Sequence, residues 1–123
     1  MMGRNDMSNI VYHICRQDEW DAAKVNGFYS GSSQDEADGF IHFSASDQVV
    51  ESARRHRAGQ NGLVLLSVDA ESLGSSLKWE PSRGGSLFPH LYSDLPVNVV
   101  INAISLPLGP DGQFIFPKSE ISN

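Results

Sequence analysis

The sequence predicts an α+β fold: a single domain whose bent or split, mixed or antiparallel sheet carries two main helices. Three observations predict it. The 123 residues are 40% hydrophobic, which fits one packed core and no second domain. Helix-type patterning is confined to the first half of the chain, and strand-type apolar runs dominate the second. The two kinds of segment do not alternate in the regular βαβ manner that builds a parallel sheet.

Residues 1–8 read as a disordered leader. Ile10-Val11-Tyr12-His13-Ile14-Cys15 is dense in β-branched and aromatic residues and is expected as the first strand. With a period of two, Ile10, Tyr12 and Ile14 share one face, and Val11, His13 and Cys15 share the other. A first helix follows over Gln17–Lys24, with acids early, Lys24 late, Trp20 and Ala23 on one side and Gly27 as its stop. Ser30–Gly39 is turn chemistry throughout and reads as a mobile acidic loop. Phe40–Ser44 is the second strand. A second helix is expected over Asp47–Arg57, where Val49, Val50, Ala53 and His56 fall near helical spacing.

Leu63–Val68 is continuously apolar, the pattern of a strand covered on both faces. Asp69–Leu73 reads as one helical turn, Leu77–Glu80 as a short strand, Val97–Ile104 as the last clear strand, and Gln113–Phe116 as an edge strand closed by Pro117. The domain is thus expected over residues 9–117, with a flexible tail at 118–123.

Composition narrows the function. A net charge of −6 gives no global field for nucleic acid. The single cysteine, Cys15, excludes an internal disulfide and suits a reducing cytoplasm. No segment approaches the roughly 20 apolar residues of a membrane span, so a soluble cytoplasmic protein is expected, with no membrane partner.

The chemistry gathers in Trp79-Glu80-Pro81-Ser82-Arg83-Gly84-Gly85-Ser86-Leu87-Phe88-Pro89-His90-Leu91-Tyr92. Two prolines and a Gly-Gly pair argue against regular structure, while the aromatic and ionisable residues argue for a binding or catalytic loop held by a rigid body. The plainer alternative is a surface loop packed on its own Trp79 and Phe88. Three of the four histidines, His13, His42 and His90, lie among apolar residues, and they are the candidate catalytic groups. Their separations match no local metal motif, so no metal is expected; a metal-dependent hydrolase using these histidines is an alternative. Trp79 and Tyr92 can stack a planar ring, and Arg83 with the Gly84 and Gly85 amides can meet a phosphate. Glu80 and Ser44 complete the candidate ligand-binding set. Those are the parts that hold a nucleotide.

Tyr12-His13-Ile14, Trp20-x-x-Ala23, Gly39-Phe40-Ile41-His42-Phe43-Ser44, Gln48-Val49, Leu65-Leu66-x-Val68-Asp69 and the Trp79–Tyr92 motif together resemble the family called domain of unknown function 952. The resemblance runs from about Ile10 to Leu106. It implies kinship of fold with the ADP-ribosyltransferases, whose split, bent sheet grips NAD in a central cleft, and with the RNA 2′-phosphotransferases. It implies a first-strand role toward the NAD ribose or nicotinamide for His13, and a likeness of His42 to a second histidine of the phosphotransferase branch. Glu80, followed by Pro81 in mid-chain, departs from the late-strand catalytic glutamate of that group. The expected activity is therefore binding of NAD, ADP-ribose or a related nucleotide with ADP-ribosyl- or 2′-phosphotransferase-like chemistry, the alternative being a nucleotide-sensing module without turnover.

Overall fold

Ile10–Arg16 forms strand β1, and the strict alternation of its side chains decides how the core is divided. Val11 and Cys15 enter one apolar cluster and Tyr12 and Ile14 enter another. A computed structural model of the chain describes residues 9–117, without the side chain of Arg83. The leader at 1–8 and the tail at 118–123 lie outside the described residues.

β5 (Leu63–Asp69) pairs antiparallel with β1 along its whole length and with β9 (Val100–Leu106) on its other edge. With β4 (Ser44–Ala45) beyond β1, the sheet order is β4-β1-β5-β9. Both faces of β5 are covered, as its unbroken apolar run implies. Val64, Leu66 and Val68 face the first cluster, and Leu63 and Leu65 face the second.

Two smaller sheets complete the fold. β3 (Ile41–His42), β7 (Leu87–Leu91) and β6 (Leu77–Pro81) form an antiparallel sheet in the order β3-β7-β6. β2 (Phe28–Tyr29) and β8 (Leu95–Pro96) form a two-stranded ribbon. Every strand pair among the described residues is antiparallel, so the fold is α+β with antiparallel sheets; no parallel pair makes it mixed.

Helix α1 (Gln17–Asn26) matches the expected first helix, with Trp20 and Ala23 buried and Gly27 closing it at φ 91°. Helix α3 (Val49–His56) lays Val49 and Ala53 on the second cluster, which Phe114 and Phe116 also cover. The predicted strand over Gln113–Phe116 reduces to one bridge between Leu108 and Phe114. A 3-10 turn over Val97–Val99 delays the last strand to Val100.

Two expectations are corrected. Ser30–Gly39 is not a loop throughout: Ser33–Asp38 forms helix α2, because Ser32 and Asp35 cap it reciprocally and Gly39 ends it in the left-handed region. Capping and turn formation use the same residue types, so composition alone did not separate them.

Trp79–Tyr92, read as an irregular loop, is mostly a β-hairpin of β6 and β7. Its prolines are tolerated because of register. Backbone bonds from Ser82 to Ser86 and from Tyr92 to Ser76 fix the bonded pairs at even positions, leaving Pro81 and Pro89 where the β6–β7 ladder needs no N–H. Only the tip is irregular, and Gly84 and Gly85 take φ of 76° and 83° there.

Candidate functional site

Strand pairing places His42 opposite His90, and alternation puts Glu80 and Tyr92 on the same face. The two imidazoles stand edge-on with centroids 5.6 Å apart. Phe40, two residues before His42, stacks on His90 at 4.1 Å and touches Tyr92 at 5.3 Å. An aromatic face with two histidines therefore lies across the three-stranded sheet.

A carboxylate holds each histidine. Nδ1 of His90 donates to Oε1 of Glu80 at 2.8 Å, and the Tyr92 hydroxyl donates to the same oxygen at 2.7 Å. These hydrogen bonds, that of His90 first, lower the Glu80 pKa, and the same contact raises that of Tyr92.

His42 bridges the two ends of α2. Its Nδ1 lies 2.5 Å from Oδ1 of Asp35 and its Nε2 lies 3.1 Å from Oδ2 of Asp38. The hydrogen bond to Asp35 raises the His42 pKa against the opposing effect of burial, and Asp38 adds to the rise. The imidazolium is the form that can donate to both carboxylates.

His13 belongs to the layer beneath. Its Nδ1 donates to the backbone carbonyl of His42 at 2.5 Å, which fixes the tautomer, so Nε2 accepts from the Tyr29 hydroxyl at 2.8 Å. Burial lowers the pKa of His13 and raises that of Tyr29. His13 is thus a neutral, doubly bonded imidazole at 4% exposure.

Asp35 ties these layers together. It is 3% exposed and accepts from the Ser32 backbone and hydroxyl and from the His42 backbone and ring. Burial alone would raise its pKa, but the His42 hydrogen bond and the amides of Ser32 and His42 overcome this and hold it at about 2.

The pH dependence of folding follows. The stability that the His42–carboxylate pairs contribute is present in full below the ordinary value of 6.5 and is lost as pH rises through the higher folded value. His13 acts oppositely, since its lowered pKa makes protonation below 6.5 destabilising. The Asp35 contribution is present above 3.8 and is lost as pH falls toward about 2. Urea midpoints between about pH 5 and about pH 9 are expected to fall on the alkaline side in the parent and to stay level there in His42→Gln.

The candidate residues do not all converge. His13, His42, His90, Glu80 and Tyr92 do. Trp79 alternates to the opposite face of β6 from Glu80 and stands 46% exposed. Ser44 pairs with Tyr12 and donates to the Ser52 hydroxyl on α3, facing away from the histidines. Gly84 and Gly85 lie exposed at the hairpin tip, and the Arg83 side chain lies outside the described residues.

Asp35, Asp38, Tyr29 and Phe40 were missed as site residues. The Ser32-x-x-Asp35 capping pattern and the two-residue step from Phe40 to His42 carried signals for two of them. Among the described residues no group of three or more His, Cys, Asp or Glu side chains could hold a metal ion. Cys15 is buried, and burial pushes its thiol up to about 12.

With this geometry in view, the comparisons with known proteins are specific. The family model described as protein of unknown function (DUF952) matches residues 14–103. The crystal structure of protein CC0527 from Caulobacter crescentus is similar with a TM-score of 0.83 and 51% identity, covering 86% of this chain and 93% of that one. The solution NMR structure of the same protein gives a TM-score of 0.78 and 51% identity, covering 85% and 90%. No curated protein matches the chain.

Proposed function

The chain belongs to the DUF952 family of proteins of unknown function, and from that premise we propose that its aromatic, two-histidine face binds a nucleotide of the NAD or ADP-ribose class and acts on it as an ADP-ribosyl- or 2′-phosphotransferase-like enzyme. One observation carries the reading. Phe40, stacked on His90, and the exposed Tyr92 form an aromatic surface for a planar base beside two imidazoles, each already oriented by a carboxylate. Stacking supplies the base contact, and oriented imidazoles next to it are placed for proton transfer.

In this reading His42 is the donor: its two carboxylates favour the protonated form, and its Nε2–H exchanges the part-exposed Asp38 carboxylate for the ligand. His90 is the acceptor, because its Nδ1–H donates to the Glu80 carboxylate and in the neutral ring this leaves Nε2 with the lone pair. His13 holds His42 in place through the backbone carbonyl. Arg83, with Gly84 and Gly85 at the hairpin tip, is assigned to the phosphates on the strength of its chemistry. Bound NAD would bring the ribose–nicotinamide bond at which such transfer occurs. Kinship with the ADP-ribosyltransferases is part of the same proposal, supported by the division of the strands into separate antiparallel sheets.

Calorimetric and NMR titration with NAD, ADP-ribose and a 2′-phosphorylated nucleotide tests the reading, with product analysis for turnover. Saturable binding with shifts at His42 and His90 is expected. Glu80→Gln keeps a side-chain oxygen that can accept from His90 and Tyr92, so it should leave folding stability nearly unchanged and should weaken the nucleotide about tenfold. No binding of any of the three, or binding that ignores Glu80→Gln and Phe40→Ala alike, would sink it. Binding without products would favour the sensing module.

A further inference from the structure

Beside the histidine face, α2 and the ends of β3 and β7 border an open hollow of about 200 Å³. It is below the roughly 300 Å³ at which pockets for drug-sized ligands begin, so it suits a head group and not a whole nucleotide. The charged residues that line it are all acidic. Phe40, Tyr92, Glu36 and Asp94 line it, and among the described residues no lysine, arginine or histidine does.

The two carboxylates differ from several others on the surface. Asp18 pairs with Arg16, Asp21 with Lys24, and Glu51 with both Arg54 and Arg55. Glu36 and Asp94 make no ion pair among the described residues, although they border the same small space. The Tyr92 hydroxyl is engaged by Glu80, which leaves the ring as that residue's free surface.

We infer that this hollow is a binding site for an organic cation, a quaternary ammonium or guanidinium head group. Ring faces attract a cation through their quadrupoles, and the carboxylates supply the opposite charge at the rim. An anion would meet Glu36, Asp94 and the buried Asp35 together, so a phosphate is disfavoured. Phe40 and Tyr92 serve the cation here and the base in the nucleotide reading, so the two ligands are alternative occupants of these rings, and the inference stands whether or not a nucleotide binds.

The test is an amide NMR titration of the full chain with choline, with the uncharged carbon isostere of choline, with N-acetylarginine methylamide and with sodium chloride at matched ionic strength. Saturable shifts at Gly39, Ile41 and Ser93 are expected for choline or the arginine derivative, at affinities at least about tenfold above the neutral isostere. Choline alone would identify a small quaternary ammonium, and the arginine derivative alone a protein side chain; either outcome supports the site. The double variant Glu36→Gln/Asp94→Asn, altered only at exposed positions, is expected to lose the preference for charge while keeping the parent spectrum elsewhere. Equal response to the isostere, the same response to sodium chloride, no response at all, or an unchanged preference in the double variant would each overturn it. Titration with NAD under the same conditions reports separately on the nucleotide reading.

Discussion

Asp35→Ala is expected to remove about 3 kcal/mol of folding stability, the largest effect of any single polar substitution in this domain. The carboxylate is 3% exposed and meets four donors: the amide and hydroxyl of Ser32, and the amide and ring of His42. Alanine removes the acceptor and leaves those donors short of partners. It also removes half of the clamp by which α2, a six-residue helix with only one buried residue, is held to β3. The exposed part of His42 recovers some solvation, which keeps the loss below the upper range for buried ion pairs. Urea unfolding of Asp35→Ala, His42→Ala and the double variant measures the coupling. A loss under about 1 kcal/mol, or strictly additive losses, would show that Asp35 does not bind these layers together.

Tyr29→Phe is the second large effect, and its sign depends on pH. The hydroxyl donates to Nε2 of His13 within a site where both residues are nearly inaccessible. Removing it orphans a buried acceptor, and near pH 8 the expected cost is about 1 to 3 kcal/mol. Oδ2 of Asp35 lies 3.8 Å from Nε2, and as a carboxylate it can only accept. His13 therefore gains a reason to take a proton that burial otherwise denies it. Near pH 5.5 the variant is expected to recover part of the deficit, as the imidazolium turns its new N–H toward Asp35. Urea midpoints of parent and variant at the two pH values decide the matter. Equal deficits at both would mean that the hydroxyl does not set the protonation state of His13.

Much of the frame was legible before any coordinates. The alternation in Ile10–Cys15 named both faces of β1, and the apolar run at Leu63–Val68 announced a strand covered on two sides. These signals are local, because burial on a strand repeats every second residue. The hairpin was not legible in the same way. Pro81 and Pro89 looked like breakers because the parity that spares them depends on the partner strand, which has no mark in the segment itself.

The site divides along the same line. Three histidines amid apolar residues pointed to a site, and Glu80 and Tyr92 belong with His90. Trp79, an equally persuasive ligand residue on paper, faces away because a single step along β6 reverses a side chain. Asp35 was hidden in a run of small and acidic residues whose composition suits a turn, a cap or a solvated face alike.

What the sequence determined by itself is whatever rests on local periodicity and composition: an α+β domain, its two main helices, the faces of its longest strands, and the family to which it belongs. What only the tertiary structure decided is which ionisable groups share a proton. Asp35 meets His42 across a chain reversal, His90 meets Glu80 across a ladder, and His13 meets Tyr29 across two sheets. Charge and hydrogen bonding act over a few ångströms of space and not along the chain, so the protonation of this site is fixed only when the sheets close upon each other.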